Sequence, residues 1–148
     1  MVDDPDRTAA ACPGCGALVP DPGGPALPHV GASLGCWAIY GDVLAREYGE
    51  WAFPPINRLT VNAYAAQHPG EPSPRTTQAM ASHLVALYLC LERGVDPGRL
   101  ARELGRVTTP SEFRWLDPPP AGSALTILDV RGAASLRDHT SRVERWAQ

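Results

Sequence analysis

One ordinary domain is the natural reading of 148 residues, 44% of them apolar, a share large enough for a core. All 13 basic residues are arginine, the net charge is −3, and Arg7 is the only basic residue before Cys36; this argues against the concentrated basic face that nucleic-acid binding needs. The start is acidic with no apolar signal segment, and the apolar run at 84–91 is too short to cross a bilayer. We therefore expect a soluble cytoplasmic protein with reduced cysteines, no membrane partner and no nucleic-acid partner.

Residues 1–11 read as a disordered tail and 12–148 as a single helical domain. The domain opens on Cys12-Pro13-Gly14-Cys15-Gly16. In such a C-x-x-C the Pro-Gly turn points both sulfurs inward and Gly16 lets backbone amides approach them, so the pair supplies half of a tetrahedral zinc site. A disulfide framework would need a secreted context and a redox dithiol a βαβ unit, and the sequence carries the signal of neither. Closing the shell takes two more ligands, and Cys36, Cys90, His29, His68, His83 and His139 are available.

Between proline clusters the segments read as helices. The first is capped by Ser33 and runs to about Tyr48; Leu34, Trp37, Ala38, Gly41, Ala45 and Tyr48 share one face, while Cys36, Ile39, Tyr40 and Val43 make the opposite face apolar too. Such a helix should be sandwiched between two layers, with a polar strip around Asp42 and Arg46. Cys36 lies in its first turn, where the helix dipole favours a thiolate. A second helix runs from a cap at Asn57 to about Gln67, leaving His68 at its C-terminal end before Pro69-Gly70. An antiparallel hairpin of these two helices would bring Cys36 and His68 together.

The third helix is capped by Ser73, has Pro74 at its first position, carries the stripe Met80, His83, Leu84, Leu87 and Leu91, and ends near Gly94. Asp96-Pro97 starts a short helix with Leu100 and Leu104. Two capping boxes follow, Thr126 with Asp129 and Ser135 with Asp138. The last helix should set Leu136, His139, Val143 and Trp146 on one side, and the run at 125–130 is ambiguous between helix and short strand. The fold class is thus all-α, or mainly α: a compact five- to six-helix domain with an irregular N-terminal zinc-knuckle segment.

The strings CPGCGA at 12–17, GASLGCWAIYGDVLAREY at 31–48, LTVNAYAAQHPG at 59–70, LERG at 91–94 and HTSRVERWA at 139–147 resemble an uncharacterised bacterial family, one of the domains of unknown function. The likeness covers most of the chain after about Ala11 and implies a compact helical protein with metal ligands, but no reaction. Leu34 and Asn62 stand where relatives often have proline and aspartate, and the chain stops soon after Trp146, which leaves the last helix less firmly packed.

The ligand set we expect is Cys12, Cys15, Cys36 and His68, holding Zn²⁺; ligand softness favours zinc, with iron the alternative in principle. Cys36 equally fits an ordinary buried thiol, and His68 a helix-end cap. His83 and His139 lie on apolar stripes and read as core histidines, while His29, in the proline-rich loop, is the first substitute for His68. Cys90 is about 10.5 Å along the helix axis from His83, too far to share an ion with it, and reads as a buried thiol.

Two functional classes lead. In the first, zinc staples the N-terminal segment to a helical core and function lies in binding a protein partner or small molecule. In the second, an open metal position serves a hydrolase or thiol-handling enzyme, with Asp42, Glu47 or Glu71 as general base. A zinc ribbon reading nucleic acid ranks last, because a second C-x-x-C is missing and the charge is acidic.

Overall fold

Hydroxyl side chains set where the helices begin. In the computed structural model, which describes residues 8–25, 27, 29–107, 113–122 and 124–148, Ser33 Oγ accepts from the Cys36 N–H at 3.2 Å and starts α1, Leu34–Tyr48. Ser73 and Thr76 form a full capping box at the start of α3, Pro74–Leu91, with Pro74 in the first turn. Thr126 and Asp129 form another, so the ambiguous run after Leu125 resolves as a helix, α5, Ile127–Arg131. Each such cap satisfies amides that the helix itself leaves open, worth about 1 kcal/mol.

The remaining elements are a hairpin of β1, Ala9–Ala11, with β2, Leu18–Pro20; α2, Asn57–Gln67; a 3₁₀ turn at Pro97–Arg99 leading into α4, Leu100–Val107; and α6, Leu136–Ala147. The protein is thus mainly helical, six helices among the described residues, with a small antiparallel sheet in which Ala10 faces Val19. The alternation of alanines and short apolar runs gave no strand signal long enough to anticipate that sheet. Of the tail expected over 1–11, residues 1–7 lie outside the described residues, and Ala9–Ala11 are paired strand. No helix among the described residues is long and apolar enough to cross a membrane.

Helix α2 packs on α3 and α6, α5 lies against α1 and α6, and β2 rests on the start of α1. The close approach of β2 requires Gly35, since a Cβ there would overlap the Pro20 carbonyl oxygen. The shared core draws Val19, Ile39, Val43, Leu59, Tyr64, Leu87, Ile127, Val143 and Trp146 from every layer.

Helix α1 buries one face only, Gly35, Cys36, Ile39, Tyr40, Val43 and Glu47. It is therefore not sandwiched: Trp37 and Tyr48 are 40% and 53% exposed, and Ala38, Gly41 and Ala45, too small to demand burial, face solvent with them. Leu84 in α3 and Leu136 in α6 likewise end up over a third exposed at the edges of their stripes. At α2, Ile56 occupies the cap position with no side-chain bond, because Asn57 is spent elsewhere. Trp146 is buried and donates to Gln67 Oε1 at 2.9 Å, so the C-terminal helix is firmly packed after all.

Asn57 belongs to a buried polar cluster at the far end of α1. Glu47, fully buried, accepts from Asn57 Nδ2 at 2.7 Å, from Thr60 Oγ1 at 2.5 Å and from His139 Nε2 at 2.6 Å. The His139 ring lies 4.6 Å from Trp51, whose other neighbour is the Arg46 guanidinium at 4.2 Å. These contacts tie α1, α2 and α6 through groups that cannot be left unpaired in the core. Replacing Glu47 with alanine strands Asn57 Nδ2 and His139 Nε2 and leaves Thr60 only the Ile56 carbonyl at 3.3 Å, and urea denaturation should show a loss of about 3–5 kcal/mol. A loss under about 1 kcal/mol would mean that water replaces the carboxylate freely.

Candidate metal centre

The C-x-x-C segment forms the loop of the β-hairpin. Cys12 N–H donates to the Ala17 carbonyl and Gly16 N–H to the Cys12 carbonyl, both at 2.8 Å, closing a tight turn that carries Cys12 and Cys15 inward. Gly16, at a φ of 77°, closes the turn, and a backbone hydrogen bond from Cys15 reaches the Cys12 thiol, an amide at a sulfur as the loop sequence predicts. Gly14, between the cysteines, is where the turn meets the end of α2: a Cβ there would overlap the Gly31 carbonyl oxygen and the His68 ring.

The start of α1 brings Cys36 and the end of α2 brings His68, as the hairpin topology predicts, although α1 and α2 touch little along their length. Cys12, Cys15, Cys36 and His68 are all at most 4% exposed, and their ligand atoms lie within 4.8 Å of one another. Cys15 Sγ is 3.9 Å from Cys36 Sγ, which is 3.5 Å from His68 Nε2. Bonds of about 2.3 Å to sulfur and 2.0–2.1 Å to nitrogen put tetrahedral ligands about 3.5–3.8 Å apart. Two edges fit that figure, and all the separations lie within 4.8 Å. The cluster could hold a metal ion.

His68 is oriented for this from both sides. Its Nδ1–H donates to the Tyr64 carbonyl at 2.6 Å, and because a carbonyl only accepts, Nε2 is left with the lone pair toward the sulfurs. Its ring stacks on the Tyr64 ring at 4.0 Å. The Tyr64 hydroxyl donates to Cys36 Sγ at 3.4 Å, so one residue of α2 touches two of the four groups. Sequence reasoning missed Tyr64, although its spacing of four from His68 on one helix carried the signal.

Three thiols this close cannot ionise independently. Hydrogen bonds from Cys15 and Cys36 hold the Cys12 pKa far down, while the same contacts, from Cys12 and Cys15, push that of Cys36 far up. Burial alone lowers the His68 pKa, but hydrogen bonds with Cys12 and Cys15 outweigh it and push it up to about 9. The cluster attracts positive charge, and without metal a proton on His68 supplies it.

The other residues considered as ligands lie elsewhere. His29 is exposed, His83 Nδ1 bonds to Asn62 Oδ1 at 2.8 Å, His139 pairs with Glu47, and Cys90 is a half-buried free thiol. Among the possible general bases, Asp42 and Glu71 are exposed. Glu47 sits eleven residues along α1 from Cys36, about 16 Å at the helical rise, with its oxygens already engaged. A cleft of about 570 Å³ between the Pro13-Gly14 turn and Pro69, Gly70 and Glu71 is lined by none of the four clustered residues.

The raised His68 pKa and the lowered Cys12 pKa together set the pH behaviour of the metal-free protein. A group whose folded pKa lies above its ordinary 6.5 contributes stability that is full below 6.5 and fades as pH rises through about 9. The lowered Cys12 pKa opposes this, because the unfolded thiol keeps up to its ordinary 9.0 a proton that the folded thiolate has lost. In chemical denaturation, metal-free protein should show little net slope between these pH values, and His68→Ala should gain stability as pH rises. An unchanged slope in the variant would show that His68 is not the group responsible.

A family model matches residues 10–148, nearly the whole chain, while no curated protein and no solved structure matches it. The match spans both cysteines of the hairpin loop, Cys36, His68 and every helix, and the chain belongs to DUF5946, a family of unknown function.

Proposed function

We propose that Cys12, Cys15, Cys36 and His68 bind one Zn²⁺ in a closed Cys₃His shell, and that the metal is structural. One observation carries this reading: four buried side chains from three separate segments turn their ligand atoms toward one another, and the Tyr64 hydroxyl on Cys36 Sγ is the side-chain partner from outside the cluster among the described residues. Three thiolates and an imidazole suit zinc, and four protein ligands leave no vertex for water. That is the argument against the hydrolase or thiol-handling alternative, for which no carboxylate among the described residues stands ready beside the cluster.

The metal would do for the N-terminal segment what its own core cannot. Two three-residue strands are too short to be stable alone, and Val19 is the one side chain of β1 and β2 that is fully buried. Zinc joins their loop to the start of α1 and the end of α2, making a zinc knuckle of an otherwise irregular segment. The helical remainder then acts as a cytoplasmic binding domain for a protein or small molecule, without affinity for nucleic acid, for which it lacks the basic surface.

Elemental analysis of protein purified without added metal should give one zinc per chain, and cobalt substitution should give the absorption bands of a tetrahedral thiolate site. Alanine at Cys36 or His68 should weaken metal retention as severely as alanine at Cys12, whereas Cys90→Ala should leave stoichiometry at one. A five-coordinate cobalt spectrum would reassign the site to the open, catalytic class.

Chelation should expose residues 8–33 to protease while the helices from α1 to α4 stay protected. If the metal is stripped and the hairpin remains equally resistant, zinc is not what holds it.

A further inference from the structure

Helices α1, α2 and α3 line a half-open cavity of about 230 Å³ that shares the His68 ring with the candidate metal centre but none of the sulfurs. Trp37, Tyr40, Val61, Tyr64 and Met80 make its wall largely aromatic and apolar. No carboxylate, guanidinium or amine lines it among the described residues. Thr76 contributes a hydroxyl, but that group is occupied by the Ser73 N–H at 2.8 Å and the Glu71 carbonyl at 2.6 Å.

The exposed His29 ring and the Tyr40 hydroxyl also line it, but among the polar groups left to a ligand His83 is the one whose proton a neighbour places. Asn62 Nδ2 donates to the Arg58 carbonyl at 2.6 Å, which fixes the amide so that its oxygen faces His83 Nδ1 at 2.8 Å. Both carbonyl oxygens only accept, so His83 carries its proton on Nδ1 and its lone pair on Nε2. Nε2 has no hydrogen-bond partner among the described residues, and since no buried side-chain nitrogen there is left unpaired, it is accessible to solvent on a residue that lines the cavity. Burial also pushes the His83 pKa down, which keeps the ring neutral and accepting. A core histidine merely filling space would not need its tautomer set by a two-step relay.

We propose that this cavity binds a small neutral aromatic molecule carrying one hydrogen-bond donor, of the phenol or indole class, with the donor on His83 Nε2 and the ring among Trp37, Tyr40 and Met80. An apolar cavity of about 150 Å³ accommodates benzene, so the larger space here takes one substituted ring or a fused pair. An anion would find no fixed cation in the walls, and a cation no carboxylate. The assignment deepens the binding-domain reading and rests on it only in that bound metal fixes the His68 wall.

The test titrates the metal-loaded full chain with phenol, toluene and benzoate, following the ring ¹⁵N resonances of His83 and assaying zinc in the same samples. Phenol should saturate at millimolar concentration or below, about tenfold tighter than toluene, and move the Nε2 resonance; benzoate should not compete. His83→Phe should keep toluene binding and abolish the phenol advantage. Asn62→Leu, which frees the ring without altering the cavity wall, should reduce that advantage severalfold and carries the test if the first variant does not fold. Failure of phenol to saturate, equal affinity for toluene, a silent His83 resonance or an advantage retained in both variants would overturn the assignment. With zinc at one per chain, such a failure would sink this site alone; absence of zinc from the wild-type chain would sink the staple, and the phenol titration would still decide this site.

Discussion

The orientation of His68 is the constraint on which the N-terminal half of the structure depends. An imidazole has two nitrogens, and only one arrangement presents a lone pair to the sulfurs. The Tyr64 carbonyl enforces it by taking the proton on Nδ1, and the Tyr64 ring holds the imidazole plane. Because both act from one turn below on the same helix, the direction of Nε2 is inherited from the backbone of α2 and needs no help from the loops. The hairpin loop can then come to His68, and it does so at Gly14, where any side chain would block the approach.

Helix α1 is pinned at both ends by buried polar groups, and these explain why it is placed as it is. Cys36 joins the sulfur cluster at its first turn, and Glu47 gathers Asn57, Thr60 and His139 at its last. Between them the buried face is Ile39, Tyr40 and Val43, a stripe that would tolerate a slide along its partners with little loss of apolar contact. Polar clusters do not tolerate it, because each donor or acceptor stranded in the core costs about 1–3 kcal/mol. The two ends therefore specify register and the apolar middle supplies burial energy. His139, 92 residues from Glu47, carries that register to the C-terminal helix.

Which parts were legible in the sequence follows from how local their causes are. Ser33, Ser73 and Thr126 act on amides two or three residues away, so the starts of α1 and α3 could be read directly, while at Thr126 the capping box pointed to a helix but the apolar run beside it left a strand open. The meeting of Cys36 with His68 was legible too, because it needs only that two adjacent helices run antiparallel. Asn57 was misread as a cap because its partner, Glu47, lies on another element and no local pattern announces it. The two-faced apolar pattern of α1 misled for a related reason: alanine and glycine count as apolar but gain little from burial, so they do not compel a second layer. Glu47 looked like an available base, and only the tertiary structure shows all its acceptors committed. The hairpin escaped because three-residue strands lie below the length at which alternation can be recognised.

The two sites at the end of α2 divide the work between them. In the proposed reading a metal held by four buried protein atoms would have no vertex left to offer, so it would serve to hold the hairpin to the start of α1 and the end of α2. The accessible lone pair nearby is instead that of His83, set by Asn62 through the same device that Tyr64 applies to His68: an oxygen that can only accept fixes the proton on Nδ1. His68 belongs to the candidate metal cluster and also lines the cavity, so under the proposed reading a molecule in the cavity would pack against the ring that holds the metal. Any energetic coupling between them is reciprocal: whatever the metal adds to affinity in the cavity, an occupant of the cavity adds to retention of the metal. Rigidity at the metal and selectivity at His83 are then two uses of one short stretch of α2.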